Sequence, residues 1–280
     1  MCKWLLIIRP ATLFATLSPV LAGLYLAQKE SFVHWPIAVI TLCSALSIQI
    51  ISNLVNDYFD YKKGSDSKER LGPVRAISKG LVTPKEMKYA IAIAMGIAMI
   101  SGFGLVVYGG IPIILIGVSA LCFAWLYTAT PFSLSYLGIA DLFVFTYFGP
   151  VATAGTFYLQ TGQLSTTSLL AGAGCGLISM AVLTVNNIRD YEQDKKNGKK
   201  TIIVRLGRRF GTLYYATTIL LPGVILLYIG SSSTLSLLFF IPALALFGLF
   251  TRSTGKAYNR VLALTGLLNL IYLLTLILSL

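Results

Sequence analysis

The strongest constraint on this chain is where its charges are absent. No Asp, Glu, Lys or Arg occurs between Arg9 and Lys29, Glu30 and Asp57, Lys88 and Asp141, Asp141 and Arg189, Arg209 and Arg252, or after Arg260. About 20 apolar helical residues cross the hydrocarbon core of a bilayer. By length these gaps hold one, one, two, two, two and one spans, nine in all. Composition agrees, with 56% of the 280 residues hydrophobic and 11% charged, where a soluble domain carries charge at about 25%. A soluble enzyme, a disordered chain and a fibrous protein are disfavoured. The expected fold is all-α and polytopic, a single membrane domain over residues 1–280.

Gly, Pro and charge punctuate the sequence into spans at 10–28, 36–56, 89–108, 112–127, 137–159, 167–187, 211–229, 234–251 and 261–280. Pro19 interrupts the first apolar stretch and no convincing small-residue cleavage site follows, so it reads as a retained span rather than a signal peptide. With the N-terminus in the cytoplasm, only Lys29 of the 22 Lys and Arg residues falls outside, as the positive-inside rule requires. The net charge of +12 then suits anionic headgroups and anionic substrates at one face of the bilayer. Nucleic acid is a poor partner, because no soluble basic domain is present to receive it. Cys2, Cys43, Cys122 and Cys175 are widely separated, lack metal-ligand spacing and read as packing residues.

Two cytoplasmic islands, 56–88 and 186–209, hold eight Lys/Arg each and together eight of the ten acids. Orientation and lipid contact explain the lysines. They do not explain carboxylates clustered where a helix leaves the membrane. The islands also resemble each other. Asn56-Asp-Tyr-Phe-Asp60-Tyr61 parallels Asn186-Asn-Ile-Arg-Asp190-Tyr191, at the ends of the second and sixth spans, and Lys-Lys and a Gly follow in both. Two four-helix pseudo-repeats with a last odd helix account for this, and such repeats commonly share a site at their interface.

Asn56 and Asp60 are four residues apart and share a helix face, as do Asp190 and Asp194, with Asn186 a turn earlier. Like charges at that spacing destabilise a helix by about 0.2–0.5 kcal/mol, and more as water is excluded. A cation should offset this. Carboxylate and amide oxygens without His or Cys suit a hard ion, and Mg²⁺ typically takes one or two carboxylates plus substrate phosphates. Arg75, Lys79, Arg189, Lys199 and Lys200 would take further phosphate oxygens. Two facing acidic clusters would hold a diphosphate through bridging Mg²⁺ and stabilise its departure. An allylic group so released is cationic, and the faces of Tyr58, Phe59, Tyr61, Tyr127, Phe132 or Tyr147 would stabilise it. The bland readings are packing for most of these rings, caps or solvated charges for Glu69 and Glu86, and an interfacial place on the outer side for His34. For Asp57, coordination and support of its neighbours stand level.

These motifs carry a resemblance. The chain resembles the UbiA superfamily of intramembrane aromatic prenyltransferases along nearly its whole length. That family has nine helices and two Asp-rich motifs, matched here by Asn56-Asp57-Tyr-Phe-Asp60 and Asp190-Tyr-Glu-Gln-Asp194. Further segments look like its 1,4-dihydroxy-2-naphthoate polyprenyltransferase branch, which serves menaquinone synthesis. They are Arg9-Pro10 with Thr12-Leu13, Lys63-Gly64-Ser65-Asp66, Gly72-Pro73-Val74-Arg75 with Lys79-Gly80 and Thr83, and Asn186-Asn187-Ile188-Arg189-Asp190. Asn197-Gly198-Lys199-Lys200-Thr201, running to Val204-Arg205-Leu206-Gly207, also fits. The resemblance implies Mg²⁺-assisted ionisation of a polyprenyl diphosphate, attack by an electron-rich ring and, in the naphthoate branch, loss of the carboxyl group. It places Asn56 and Asp60 on one ion and Asp190 and Asp194 on the other. It assigns substrate binding to Asn56, Asp57, Asp66, Arg75, Lys79, Tyr127, Asn187, Arg189, Lys199 and Lys200, with the isoprenoid tail in a groove open to lipid.

Two departures stand out. The commonest family pattern has another Asp four residues after Asp60, where this chain has Gly64, with Asp66 two residues on. The loop after the fourth span, Thr-Pro-Phe-Ser-Leu-Ser-Tyr, lacks the basic residue of many relatives, which leaves phosphate binding to the two islands. The competing readings are prenyl transfer to 4-hydroxybenzoate or homogentisate, a transporter and a noncatalytic assembly factor. A transporter places its ionisable groups near the midplane, where only Asp141 lies between long apolar runs, and an assembly factor gives no reason for two matched acidic motifs. Prenyl chain length and oligomeric state are not encoded in a readable way.

Overall fold

The computed structural model describes residues 3–64, 71–72, 75–129, 133–230 and 234–280, and every regular element among them is helical. In chain order these are α1 (Lys3–Ile8), α2 (Pro10–Glu30), α3 (Trp35–Lys62), α4 (Pro84–Leu126), α5 (Leu134–Leu137), α6 (Ala140–Tyr147) and α7 (Pro150–Thr161). They continue with α8 (Thr166–Arg189), α9 (Tyr191–Lys196), α10 (Ile202–Ile229), α11 (Thr234–Leu237), α12 (Phe240–Thr251) and α13 (Tyr258–Ser279). Prolines at the first turns of α2, α3, α4 and α7 start helices where a missing N–H costs nothing. Glu86 is a cap, as its bland reading expects. It closes a capping box with Thr83 and pairs with Lys3 Nζ at 3.0 Å.

Among the described residues, seven helical segments are long and apolar enough to cross a membrane. The expected count of nine is therefore not reproduced as drawn: α4 holds two expected spans in one element, and α2, expected as the first span, is not among the seven. Residues 89–127, expected as two spans, fall in the single element α4, whose 43 residues would reach about 65 Å if straight. It is not straight, because Gly110 takes φ 68°, ψ −153°, with Pro112 just beyond. Lys88, near its start, lies 5.8 Å from the Tyr58 ring, and Trp125, near its end, lies 6.1 Å from Phe59. Two ends that meet neighbouring residues of α3 require the chain to reverse at Gly110. The expected span 137–159 is broken at Phe148 and Gly149 into α6 and α7. The span expected to end at residue 56 runs on as α3 to Lys62, so the first acidic motif lies within a helix.

Outward faces are apolar. Ile93, Ile97, Ile100 and Val107 on α4 are each at least half exposed and recur at helical spacing. A stripe of that kind is a liability in water and the normal condition against lipid tails. Inward, α8, α10, α12 and α13 pack around Tyr215, Phe239, Phe250 and Tyr272, all fully buried. Cys175 belongs to this core, as expected, whereas Cys43 and Cys122 are exposed on the outer surface instead of packed. The other half surrounds an apolar cavity of about 380 Å³ bounded by α2, α3, both arms of α4, α6 and α7.

Glycine permits a close crossing where the start of α7 meets α8. A methyl group on Gly172 would lie 2.8 Å from both the Gly149 carbonyl oxygen and the Pro150 Cα. Backbone atoms cannot step aside as a flexible side chain does. Gly172→Ala is expected to lower stability by about 1–3 kcal/mol, whereas Gly96→Ala, with open space around it, should be neutral or mildly stabilising. Thermal unfolding of both variants in detergent checks this.

Candidate active site

The ends of α3 and α8 carry the same construction. On α3, Asn56 and Asp60 face one way, and the buried Arg75 reaches across from the following loop. Its Nη1 donates to the Asn56 carbonyl and to Asn56 Oδ1, both at 3.0 Å, and its Nη2 donates to Asp60 Oδ2. On α8, Arg189 Nη2 donates to Asn186 Oδ1 and to Asp190 Oδ2, both at 2.6 Å, and its Nε donates to Asp190 Oδ1 at 2.8 Å. In both halves an Asn–Asp pair one turn apart is held by one guanidinium. Planar, fixed donors suit this task in a way an ammonium does not.

The sequence calls for a cation to offset the acids and leaves these arginines to phosphate. In the structure the arginines are that cation. Asp57 lies behind them, its Oδ2 accepting from the Ala76 N–H at 3.1 Å and its Oδ1 3.6 Å from Arg75 Nη1. It therefore fixes the Arg75 loop, which favours the supporting reading. Lys199 Nζ pairs with Asp194 Oδ1 at 3.1 Å. Burial raises the Asp194 carboxyl above its usual value. Lys199 opposes that shift, while Asp190 and Asp60 push the same way. Asp60 acts on Asp194, and both Asp60 and Lys199 act on Lys63, so the two islands adjoin.

Not every expected residue joins the cluster. Lys79 and Lys200 are exposed at its margin, and Asn187 is buried in α8. Asp66 and Phe132 lie outside the described residues. Of the aromatic candidates, Tyr127 and Tyr147 line the cavity with Phe123, Phe143 and Phe148, whereas Tyr61 is exposed. Tyr58 and Phe59 face Lys88 and Trp125 instead. Ser52, which also lines the cavity, is one turn from Asn56 on α3, so the cavity begins directly beneath the first motif. His34 sits at the opposite end of α3 beside Tyr108, with ring centroids 5.6 Å apart.

Three connections escaped the sequence. Asn259 Oδ1 accepts from Arg189 Nη1 at 2.8 Å, and its Nδ2 donates to the Leu71 carbonyl at 2.9 Å. One amide on α13 thus ties the arginine of the second island to the loop of the first. Lys63 Nζ donates to the Thr128 carbonyl at 2.6 Å, and Arg205 Nη2 to the Leu137 carbonyl at 2.7 Å. The loop after α4, which has no basic residue of its own, receives one from each island. The only signal for Asn259 was an amide at the head of an apolar helix.

The donor chemistry fits Mg²⁺. Every candidate ligand is an oxygen. Among the described residues Asp60 is engaged through Oδ2 and Asp194 through Oδ1, which leaves one oxygen on each. No group of three or more acidic, His or Cys side chains gathers among the described residues. Mg²⁺ suits that arrangement, since it completes its shell with phosphate and water.

Residues 16–276 match the UbiA prenyltransferase family. The chain is 36% identical over 219 residues to the 1,4-dihydroxy-2-naphthoate octaprenyltransferase of Escherichia coli (strain K12), covering 76% of this chain and 71% of that one. It is 36% identical over 216 residues to the protein of the same name from Haemophilus influenzae, covering 74% and 70%. A UbiA homolog from Archaeoglobus fulgidus, solved with GPP and Mg²⁺ bound, has the same fold. Its TM-score is 0.71 at 15% identity, over 99% of both chains.

The Asn259 bridge is open to a direct check. Asn259→Ala leaves a buried guanidinium short of an acceptor and should lower stability by about 1.5–3 kcal/mol. Asn259→Asp keeps the acceptor for Arg189 but not the donor for Leu71, and should recover part of that loss in detergent unfolding curves.

Proposed function

The chain belongs to the UbiA prenyltransferase family, and on that premise we propose that it transfers a polyprenyl group from its diphosphate to 1,4-dihydroxy-2-naphthoate, with loss of the carboxyl group. The observation that carries this reading is the pair of Arg-clamped Asn–Asp motifs, the first of them directly above an apolar cavity. One end is built for a diphosphate and the other for a hydrocarbon tail. The naphthoate acceptor rests on the names of the relatives and on the segments Gly72–Arg75 and Asn186–Asp190. The same transfer to 4-hydroxybenzoate or homogentisate is the alternative. The excess of Lys and Arg at the island end supports a cytoplasmic N-terminus and active site in the plasma or inner membrane.

Asn56 and Asp60 would hold one Mg²⁺ and Asp190 and Asp194 the other. The bound ions supply counter-charge to the departing diphosphate. Arg75, Arg189 and Lys199 sit beside these acids and would share their donors with phosphate oxygens. Lys79 and Lys200 would take part at the margin, Asp66 would add to substrate binding, and Asn187 would support the second motif from within α8. As the allylic C–O bond breaks, its electron pair leaves on the diphosphate. Tyr127 and Tyr147 present faces to the carbon left behind, each worth roughly 0.5–2 kcal/mol. The apolar walls exclude the water that would otherwise capture that carbon. The ring then forms the new C–C bond, and its carboxylate leaves as CO₂, returning its bonding pair to the ring.

Membranes containing the protein, given a polyprenyl diphosphate and Mg²⁺, should convert dihydroxynaphthoate to the prenylated, decarboxylated naphthol. Chelation of Mg²⁺, Asp60→Ala or Asp194→Ala should each lower the rate by about 10²-fold or more. Product from 4-hydroxybenzoate alone would keep the chemistry and change the acceptor. Diphosphate release with neither ring prenylated would leave the ionisation step standing and the acceptor wrong.

A further inference from the structure

Two turns below the first motif, a residue lining the cavity carries an oxygen without a hydrogen-bond partner among the described residues. Gln49 is 8% exposed and lines the cavity. Its Nε2 donates to Thr12 Oγ1 at 3.3 Å and to Asn53 Oδ1 at 3.4 Å. Asn53 is itself oriented, because its Nδ2 donates to the Ile8 carbonyl at 2.8 Å and to Thr12 Oγ1 at 3.1 Å. It therefore turns an oxygen toward Gln49, and Gln49 must answer with nitrogen. That fixes the amide the other way round at its far atom. Gln49 Oε1 is buried with no hydrogen bond among the described residues.

Thr16 on α2 repeats the pattern. It is 6% exposed and lines the same cavity, and its Oγ1 also has no partner among the described residues. Thr41, Ser47 and Thr156, on the same helices or their neighbours, each bond the carbonyl four residues back. Thr16 does not. A buried acceptor left unpaired in an apolar cavity is costly and in native proteins calls for an explanation. Here the two residues that carry such atoms line one cavity.

We infer that Gln49 Oε1 and Thr16 Oγ1 form the subsite that receives a ring hydroxyl of the aromatic acceptor. The inference rests on the proposed aromatic acceptor and names residues that would select it. Gln49 lies seven residues before Asn56 on the same face of α3, about 10 Å deeper in the membrane. The diphosphate belongs to the acids and arginines at the motif, and a prenyl tail has no hydrogen to donate. The acceptor hydroxyl is then the one O–H of the reaction available at this depth. Held there, the ring lies under the motif in the cavity that Tyr127 and Phe123 also line. A ring without the hydroxyl leaves Gln49 Oε1 unpaired, which is how a site rejects the wrong analogue.

The test uses the full-length protein in detergent and naphthoate binding measured by fluorescence, without metal or prenyl donor, alongside steady-state kinetics with both. The ligands are 1,4-dihydroxy-2-naphthoate and its two deoxy analogues, 1-hydroxy-2-naphthoate and 4-hydroxy-2-naphthoate. Gln49→Leu should weaken dihydroxynaphthoate about tenfold, leave the KM for the prenyl diphosphate unchanged, and change the affinity of one deoxy analogue less than twofold. That analogue identifies the hydroxyl read. Thr16→Val should act in the same direction more weakly, and it carries the test alone if Gln49→Leu does not fold. Equal losses for all three naphthoates, or no loss for any, would overturn the subsite; the latter would assign Gln49 Oε1 to a bound water. If the wild type binds only 4-hydroxybenzoate, the naphthoate reading falls. The subsite then stands or falls on the same tenfold contrast between 4-hydroxybenzoate and benzoate. A wild type that binds no aromatic acid overturns both.

Discussion

Carboxylates at the edge of a membrane must be neutralised, and the arrangement of this protein follows from how it meets that demand. Asp57, Asp60 and Asp194 are each more than nine-tenths buried at or just beyond the ends of apolar helices. Isolated, such groups would protonate or pull the helix end toward water. Arg75 prevents this for Asp57 and Asp60 and Lys199 for Asp194, while Arg189 holds the neighbouring Asp190; each arginine spans an amide and a carboxylate one turn apart. Removing one partner of such a pair leaves an uncompensated buried charge, which is far more costly than the intact pair is stabilising. The loop 75–80 and the head of α13 are thereby fixed to the site they serve, through Asp57 on one side and Asn259 on the other.

The two halves solve different packing problems with one helix-end design. Around α8, glycines and small residues let backbones touch, and the core is filled by Tyr215, Phe239, Phe250 and Tyr272. Tyr272 even places its hydroxyl where a side chain at Gly174 would stand, donating to the Ala171 carbonyl at 3.1 Å. Around α3 the same volume is left open. Reversal of α4 at Gly110 sets two arms against α3 with a cavity between them rather than a seam. In lipid no hydrophobic force closes such a space, since tails are as apolar as leucine. A cavity lined by Phe and Tyr rings can persist there and accept a tail from the side.

How much of this was legible in sequence depended on the kind of signal. Charge-free runs gave the all-helical membrane fold, because the penalty for burying charge in hydrocarbon is large enough to write itself into composition. The matched Asn–Asp spacing points to the candidate site for the same reason. Break points were less legible. Gly110 and Pro112, either side of Ile111, mark a boundary between expected spans, yet Gly149-Pro150 lies inside an expected span and breaks it too. A Gly and a nearby Pro cannot show whether the chain turns back or merely kinks. That depends on what each arm packs against. The arginines were assigned to phosphate because sequence offers no distances, and Asn259 was invisible because its two partners are 70 and 188 residues away.

The clamps also set a condition on any cation that enters. Asp190 is engaged by Arg189 through both oxygens, whereas Asp60 and Asp194 are each engaged through one. An ionised carboxylate offers about four lone-pair sites. A hard ion can therefore approach Asp60 and Asp194 without unseating their partners, but it reaches Asp190 only by sharing an oxygen with a guanidinium that is itself anchored to Asn186 and Asn259. The two halves look alike in sequence and are unequal in this respect. The inequality comes from one detail. Arg189 is the chain neighbour of the Asp it holds and closes on it with a short, two-pronged contact, while Arg75 arrives from a loop fifteen residues away and spends half of its fork on Asn56.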